Sequence, residues 1–94
     1  MYINDIIWLD DVVEKIFSKH SVTTDEVEEV LLNQPRYRKA QKGKFEGEDL
    51  YYAYGQTGNC RYLLVVFIYK KTRDALIISA RSMQSNERKR YARR

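Results

Sequence analysis

The chain has 94 residues, of which 44% are hydrophobic and 32% charged, and its formal net charge is +4. This size predicts one small domain over residues 1–94, and the composition excludes a disordered tail. No apolar run approaches the roughly 18 residues of a transmembrane helix, and no secretory signal is visible, so we expect a cytoplasmic protein. One cysteine and one histidine rule out an internal disulfide and the usual zinc site, and we expect no metal and no cofactor.

The charge is divided unevenly along the chain. Residues 1–34 hold eight acids and two bases, a net charge of −6, whereas residues 35–94 hold fifteen bases and five acids, a net charge of +10. The basic part also holds seven of the eight tyrosines. This combination suits a nucleic acid, because cations contact phosphates and rings stack on bases. An ordinary solvated basic surface has the same composition, and the acidic part could equally dock a basic protein.

The first third of the chain predicts a strand and two helices. Residues 2–8 are β-prone, and Asp10 or Asp11 can cap the helix that follows. The second helix has the clearer start, because Thr23 stands three residues before Glu26 in a capping box. It ends before the single proline. The inward faces are expected to carry Val12, Val13, Ile16 and Phe17 in the first helix and Val27, Val30 and Leu31 in the second.

The middle of the chain predicts a loop and three strands. Residues 36–44 are basic and glycine-punctuated, which indicates a loop. Alternating apolar residues predict a strand over 49–55. The segment 61–69 is rich in β-branched and aromatic residues, which is typical of a central strand covered on both faces. A further strand is predicted over 75–80.

Short connections join these last strands. Gly55 and Gly58 can supply positive φ in the turn before the central strand, and Ser82 or Ser85 can cap a terminal helix. The element order is β-α-α-β-β-β-α, which predicts an antiparallel meander with helices packed against it. The predicted fold class is α+β, with a small antiparallel sheet flanked by helices.

A few side chains could carry chemistry. His20 could act as a general acid or base on a phosphoryl group, although a histidine at a helix C-terminus often just interacts with the last carbonyls. Arg61 opens the central strand and Arg81 follows the next, so both lie at one sheet end and could clamp a phosphate. Either could instead pair with a local acid such as Glu87. The basic tail over 87–94 could contact phosphates or fray into solvent.

Four motifs stand along the chain in a characteristic order and spacing. They are IWLD at 7–10, KHSVT at 19–23 with Glu26, RYLLVVF at 61–67, and ISAR at 78–81 followed by ER at 87–88 and Tyr91. The closing motif is the most specific of the four. Together they resemble the motifs of the BrnT toxins, small bacterial proteins related in fold to the RelE ribonucleases. The resemblance covers roughly residues 7–90.

The resemblance implies a cytoplasmic RNA-cleaving toxin with a RelE-like fold. It also implies an antitoxin with a ribbon-helix-helix DNA-binding domain, and an oligomer with that antitoxin is expected. The catalytic positions that carry over are Lys19, His20, Arg61, Arg81, Glu87 and Tyr91. We expect the two arginines to stabilise the phosphate and His20, assisted by Lys19, to transfer protons. The basic residues expected to contact RNA are Arg36, Arg38, Lys39, Arg88 and Arg90.

No metal is needed for such a reaction, because RNA supplies its own nucleophile in the 2′-hydroxyl. The chain departs from the family pattern at Ser21, where the family has glycine, and at Asn59-Cys60, where many members have Asp-Gly. The asparagine common before the Lys-His pair is not evident in residues 11–17. The alternative function is a non-catalytic module that binds nucleic acid or protein. The absence of an obvious carboxylate–histidine dyad favours that alternative.

Overall fold

A computed structural model describes residues 1–43 and 47–93. Five strands form one sheet in the order β1-β5-β4-β3-β2, and their bounds are β1 Ile6–Ile7, β2 Arg36–Gln41, β3 Asp49–Gln56, β4 Tyr62–Tyr69 and β5 Ala75–Ser82. The three helices are α1 Asp10–His20, α2 Thr24–Leu32 and α3 Ser85–Ala92. The α+β class and the antiparallel meander of β3, β4 and β5 are confirmed. Among the helices described, none has the length and apolar character needed to cross a membrane.

Both edge strands differ from the sequence prediction. The segment predicted as a loop contains β2, which pairs antiparallel with β3. Its strand signal is weak because an edge strand tolerates charged side chains on its open side, and only Tyr37 of this strand packs against the core. Strand β1 has two residues and pairs parallel with β5, so the sheet is mixed rather than antiparallel throughout. Lys44, at the end of the predicted loop, lies outside the described residues.

The core lies between the sheet and the layer formed by α1 and α2, which we call the helix layer. From the sheet, Ala53, Val65 and Phe67 are fully buried. Phe17 is 63% exposed, contrary to the prediction, and Val13 is only partly buried. Helix α1 packs on β5, near one edge of the sheet, so only a narrow stripe of α1 finds a partner. The buried helix residues are Val12 and Ile16 in α1 and Val27, Val30 and Leu31 in α2.

The predicted capping box of α2 is confirmed. The Thr23 hydroxyl accepts a hydrogen bond from the Glu26 N–H at 3.2 Å, and the Glu26 carboxylate accepts one from the Thr23 N–H at 3.0 Å. The other two helices begin differently from the prediction. Helix α1 follows Leu9 without a side-chain cap, so its two aspartates act only through the helix dipole. Helix α3 follows Gln84, and the predicted caps that are not used are Asp10, Asp11, Ser82 and Ser85.

Two departures from the BrnT sequence pattern coincide with left-handed backbone. Ser21 has φ 54° at the end of α1, where its N–H donates to the carbonyl of Phe17 at 3.0 Å. Cys60 has φ 62° at the end of the β3–β4 turn, where its N–H donates to the carbonyl of Thr57 at 2.9 Å. Glycine adopts this conformation without a Cβ clash, whereas other residues are strained in it. Both positions therefore store some strain in this chain.

The two turn glycines have a different role from the predicted one. Neither Gly55 nor Gly58 has positive φ. Gly55 lies in β3, and a Cβ on it would stand 3.0 Å from a methyl of Val30 and 3.2 Å from Cβ of Pro35. Its missing side chain lets α2 and the start of β2 approach the sheet closely.

Arg61 joins three elements at one end of the sheet. Its guanidinium donates to the carbonyls of Ser21 at 2.6 Å and His20 at 3.0 Å, where α1 ends. It also donates to both carboxylate oxygens of Glu26 at 3.1 Å and to the Ser82 hydroxyl at 3.2 Å. The last carbonyls of a helix have no partner within the helix. Arg61 supplies that partner for α1 and ties α1 to α2 and β5.

The ion pair within this junction depends on pH. Burial raises the pKa of the Glu26 carboxyl, but hydrogen bonds from the Thr23 N–H and from Arg61 outweigh it and leave the pKa below its ordinary value. A lowered folded-state pKa stabilises the protein above the unfolded-state pKa of about 4.3. This stabilisation is lost as the pH falls through the folded-state pKa. The two side chains are 29% and 26% exposed, so solvent screens the pair only in part.

Replacing either strained residue with glycine should stabilise the fold. We expect Ser21→Gly and Cys60→Gly each to raise the free energy of unfolding by about 0.5–1 kcal/mol, because the αL strain is removed. Ser18→Gly is the matched control, since Ser18 is exposed in the helical backbone of α1. It should lower the free energy of unfolding by about 0.5–1 kcal/mol. Urea denaturation measures all three, and equal effects at positions 18 and 21 would contradict the strain argument.

Removing the Arg61 side chain should destabilise the protein more than removing any exposed base. Arg61→Ala leaves a carboxylate and two helix-end carbonyls without their partner, which should cost about 2–3 kcal/mol at pH 7 and lower Tm by about 10–20 °C. Arg61→Lys should recover only part of this, because an ammonium lacks the planar fork.

Lys42→Ala is the control, since Lys42 is exposed and lies outside the strands. Thermal unfolding should also show that the loss of stability in Arg61→Ala becomes smaller as the pH falls through the lowered pKa of Glu26, because the ion pair of the wild-type protein is then lost. A deficit independent of pH would show that the ion pair contributes little.

Candidate functional site

The sheet face turned away from the helix layer, here called the open face, carries rows of arginine and tyrosine. Strand pairing sets Arg36 opposite Tyr54 on β2 and β3, and the same row ends in Arg81 on β5. The neighbouring row on this face begins with Arg38 opposite Tyr52. Side chains two residues apart on a strand share a face. The five side chains therefore stand together on the open face.

Helix α3 and this face enclose a groove of about 270 Å³, which we call the arginine groove. From α3 it receives Glu87 and Arg90, and from β3 it receives the ring of Tyr54. Its lining is more basic than acidic, and it combines cations with an aromatic ring. Guanidinium groups match the geometry of phosphate oxygens, and a tyrosine ring can stack on a base. The full lining is Arg36, Tyr37, Arg38, Tyr54, Glu87 and Arg90.

Glu87, which lines the groove, fixes the guanidinium of Arg81 beside it. Arg81 Nη1 donates to Glu87 Oε1 at 2.8 Å and Arg81 Nη2 donates to Glu87 Oε2 at 2.9 Å. Glu87 Oε1 also accepts the Gln84 N–H at 2.7 Å, so the same carboxylate caps α3. The hydrogen bond between the pair is the main cause that lowers the pKa of Glu87 and raises the pKa of Arg81. Both groups are therefore charged at neutral pH.

Arg81 keeps one pair of donors for a ligand. A guanidinium has five N–H groups, and Nη1 uses both of its own on Glu87 and on the Ser82 carbonyl at 3.0 Å. Nη2 uses one. Among the described residues, the Nε–H and the second Nη2–H have no acceptor. These two point the same way, as the parallel fork that binds two oxygens of a phosphate.

Polar and aromatic contacts hold α3 on the open face. Arg36 Nη1 donates to the carbonyls of Arg93 at 2.9 Å and Tyr91 at 3.4 Å. The rings of Tyr62 and Tyr91 meet edge to face with centroids 6.0 Å apart, and the Arg88 guanidinium lies 4.3 Å from the Tyr62 centroid. No residue of α3 is buried. The helix therefore depends on residues in and beside the arginine groove for its position.

The structure separates the residues predicted to be catalytic into two groups. One group lies with α3 at the open face and comprises Arg81, Glu87 and Tyr91. The other belongs to the helix layer and comprises Lys19, His20 and Arg61. Lys19 is exposed in the last turn of α1, and His20 ends that helix.

The two arginines share a sheet end, as predicted, but emerge on opposite faces. Arg61 bonds to the Ser82 hydroxyl, and Arg81 is the residue before Ser82 on the same strand. Successive side chains on a strand point to opposite faces. The structure therefore does not bring Arg61 and Arg81 together on one phosphate. Each is paired with an acid instead, Arg61 with Glu26 and Arg81 with Glu87.

The residues predicted to contact RNA also divide. Three of them line the arginine groove, namely Arg36, Arg38 and Arg90. The Arg88 guanidinium lies over the ring of Tyr62, beside the groove. Lys39 alternates to the other face and forms an ion pair with Asp49 at 3.1 Å. The hydrogen bond to Asp49 is the main cause that raises the pKa of Lys39. The pKa of Asp49 is lowered, mainly by the hydrogen bond from the Gly43 N–H and next by the one from Lys39.

Sequence reasoning missed Tyr54 in the groove and Tyr52 beside it. Tyr52 and Tyr54 are recognisable in the sequence as one face of a strand, and their rings meet at 6.2 Å. Their link to arginines appears only when β2 is recognised as a strand, because β2 brings Arg36 and Arg38 beside them. Within residues 1–43 and 47–93, no three His, Cys, Asp or Glu side chains come together as ligands for a metal.

Comparison with known proteins bears on this arrangement. A family model described as "Ribonuclease toxin, BrnT, of type II toxin-antitoxin system" matches residues 8–87. The matched span includes the paired Arg81 and Glu87 and the strands that form the open face, and it stops before Arg90 and Tyr91. A search of curated proteins finds no match. Since the family model covers most of the chain, this protein belongs to the BrnT family, the ribonuclease toxins of type II toxin–antitoxin systems.

Proposed function

We propose that the arginine groove binds single-stranded RNA and cleaves it without a metal ion, leaving a 2′,3′-cyclic phosphate. The observation that carries this proposal is the free donor pair on Arg81, aimed from a guanidinium that Glu87 already holds in place. RNA brings its own nucleophile, the 2′-hydroxyl next to the phosphate. The protein then has to hold the phosphate, neutralise the charge that develops on it and move protons.

Arg81 would stabilise the charge that develops on the phosphate. Donors that are already oriented stabilise a transition state more than flexible ones, because no rearrangement is needed during the reaction. Glu87 and the Ser82 carbonyl supply that orientation through Nη1 and Nη2. In this proposal Glu87 is a positioning residue. Its lowered pKa makes it a weak base.

The rest of the groove would bind the strand on either side of the cleaved bond. Arg36, Arg38 and Arg90 can contact phosphates, which adds affinity without reading sequence. Tyr54 in the groove and Tyr52 beside it can stack on unpaired bases. A duplex keeps its bases stacked inside, so this combination favours a single strand.

Proton transfer falls to a group in the groove. Tyr54 stands in the same row of the open face as Arg81, and it lines the groove together with Glu87. We assign it the role of donating a proton to the leaving 5′-oxygen, a role that tyrosine can fill. The 2′-oxygen bonds to phosphorus as the bond from phosphorus to the 5′-oxygen breaks, the 2′-hydroxyl proton passes to solvent water, and water then returns a proton to Tyr54. Lys19 and His20, the pair suggested by sequence, lie in the helix layer and have no part in this scheme.

The family also implies a protein antitoxin as partner. We propose that this antitoxin carries a ribbon-helix-helix DNA-binding domain, that it forms an oligomer with the toxin, and that both act in the cytoplasm. The support for these details is the likeness of the closing ISAR motif and the KHSVT motif to BrnT toxins.

Arg81 variants test the catalytic proposal. We expect Arg81→Ala to lower the rate of RNA cleavage about 100-fold, which corresponds to about 3 kcal/mol of lost transition-state stabilisation. Arg81→Lys should recover only part of the rate, because it keeps the charge but loses the fork. His20→Ala should keep the rate within a few-fold. Cleavage of a labelled single strand is measured alongside thermal unfolding, so that loss of fold is seen separately.

The double variant Arg81→Ala/Glu87→Gln separates two explanations for a loss. Arg81→Ala leaves an unpaired carboxylate that repels phosphate, and the double variant removes that charge. The rate should stay low in the double variant if Arg81 acts on the phosphate itself. Full recovery would show that Arg81 only neutralises Glu87. If wild-type protein binds RNA but never cleaves it, the non-catalytic alternative replaces this proposal.

RNA affinity should depend on salt through the groove. Removing one phosphate contact should lower the slope of log affinity against log salt by about 0.7 for a single strand. We expect this for Arg38→Ala, whose exposed side chain lines the groove. Lys70→Ala removes the same charge at the β4–β5 turn, outside the groove, and should leave the slope unchanged. Equal changes in the two variants would show that the net charge attracts RNA rather than the groove.

A further inference from the structure

Exposed apolar side chains are concentrated in the acidic part of the chain. The first 34 residues carry a net charge of −6. Among the described residues, the large apolar side chains that are exposed all belong to this part, and they are Met1, Tyr2, Ile7, Leu9, Phe17 and Leu32. An acidic surface with exposed apolar groups repels RNA, and exposed apolar patches often mark interaction sites.

A second groove, of about 260 Å³, lies where the N-terminal segment passes the end of α2, and we call it the N-terminal groove. Its apolar lining includes Leu31 and Leu32 from α2 and Met1 and Ile3 from the N-terminal segment. Leu32 is 81% exposed, although it belongs to a helix whose other leucine is buried. On β2, Tyr37 closes the groove. Its volume lies just below the range typical of small-molecule sites, and it suits one large apolar side chain.

Asp5 and Glu28 line this groove, and each of their carboxylates can accept further hydrogen bonds. Glu28 Oε2 accepts the indole N–H of Trp8 at 3.0 Å, and Asp5 Oδ1 accepts the Ile6 N–H at 2.9 Å. Among the described residues, the second oxygen of each carboxylate has no hydrogen-bond donor. An apolar floor with two such carboxylates at its rim complements a chain that carries an apolar side chain between cations.

We infer that the N-terminal groove docks a basic protein segment, which inserts one apolar side chain beside Leu32 and places lysine or arginine on Asp5 and Glu28. The groove lies at the α2 end of the helix layer, whereas the arginine groove lies on the open face. The linings of the two grooves share only Tyr37, on the edge strand β2. Apart from that residue, partner and RNA contact different residues, which carry charges of opposite sign. This inference does not depend on RNA cleavage, because it concerns a different surface.

Trp8 provides a built-in reporter for this groove, since it is the single tryptophan and its indole bonds to Glu28. The probe is a tryptophan-free helical peptide of about 14 residues with leucine on one face at i, i+4 spacing and lysine elsewhere. We expect it to change the Trp8 emission saturably. A peptide with glutamate in place of lysine should leave the emission unchanged. Equal binding of both peptides would overturn the proposed charge complementarity.

Two matched pairs of variants test the location. Leu32→Asp should weaken peptide binding at least about tenfold, as expected for an anchor position. Phe17→Asp makes the same change at another exposed position of the helix layer and should stay within about twofold. Glu28→Gln keeps an acceptor for Trp8 and should weaken binding and its salt dependence. Glu29→Gln on the same helix should not. Equal effects within either pair would overturn the proposed site.

Sedimentation and cleavage assays separate the remaining explanations. The chain alone should sediment as a monomer, and dimers that Leu32→Asp disperses would show that a second copy covers the groove, which would overturn the proposed partner. Bound lysine peptide should leave RNA cleavage unchanged. Competition between peptide and RNA would overturn the separation of the two surfaces. Failure of the chain to cleave RNA would refute the proposed function and leave the peptide-binding result standing.

Discussion

The network around Arg61 determines how the two faces of this sheet are used. One guanidinium binds two carbonyls at the end of α1, the carboxylate of Glu26 in α2 and the hydroxyl of Ser82 on β5. Both N–H groups of Nη2 are used, and Nη1 faces three acceptors. Only the Nε–H lacks an acceptor among the described residues. An arginine bound in this way is a structural group, and it holds the helix layer to one face of the sheet. That leaves the other face open.

The second arginine–glutamate pair has the opposite character, although it lies at the same sheet end. Arg81 is held by Glu87 and one carbonyl, and a parallel pair of donors remains. The two pairs therefore do not differ in charge. They differ in how many N–H groups of the arginine are left without an acceptor among the described residues. Glu87 links this geometry to α3, because it also caps that helix. Since α3 buries no side chain of its own, the position of the groove wall depends in part on the carboxylate that also orients Arg81.

The uneven charge of the sequence becomes a division of the folded surface. Acidic residues from the first third of the chain lie on the helix layer and the N-terminal segment, while arginines from three later elements meet on the open face. Charges of opposite sign on opposite sides let a protein attract RNA to one surface and a basic protein to another without competition. In a family whose members are paired with antitoxins, two separate surfaces would allow the two interactions to be regulated independently.

The sequence by itself determined the features that depend on neighbouring residues. The capping box at Thr23, the inward stripe of α2 and the meander follow from local spacing, and the structure confirms them. The family match confirms the resemblance to BrnT toxins. Tertiary structure decided which faces the chemistry occupies. Strand β2 is not predicted from the sequence, because an edge strand can carry charged side chains. This strand nevertheless brings Arg36 and Arg38 beside Tyr54. Likewise, spacing along the chain predicted that Arg61 and Arg81 lie at one sheet end. Only the structure shows that Arg61 bonds to Ser82, the residue after Arg81 on β5. Because successive side chains on a strand point to opposite faces, the two arginines lie on opposite faces of the sheet.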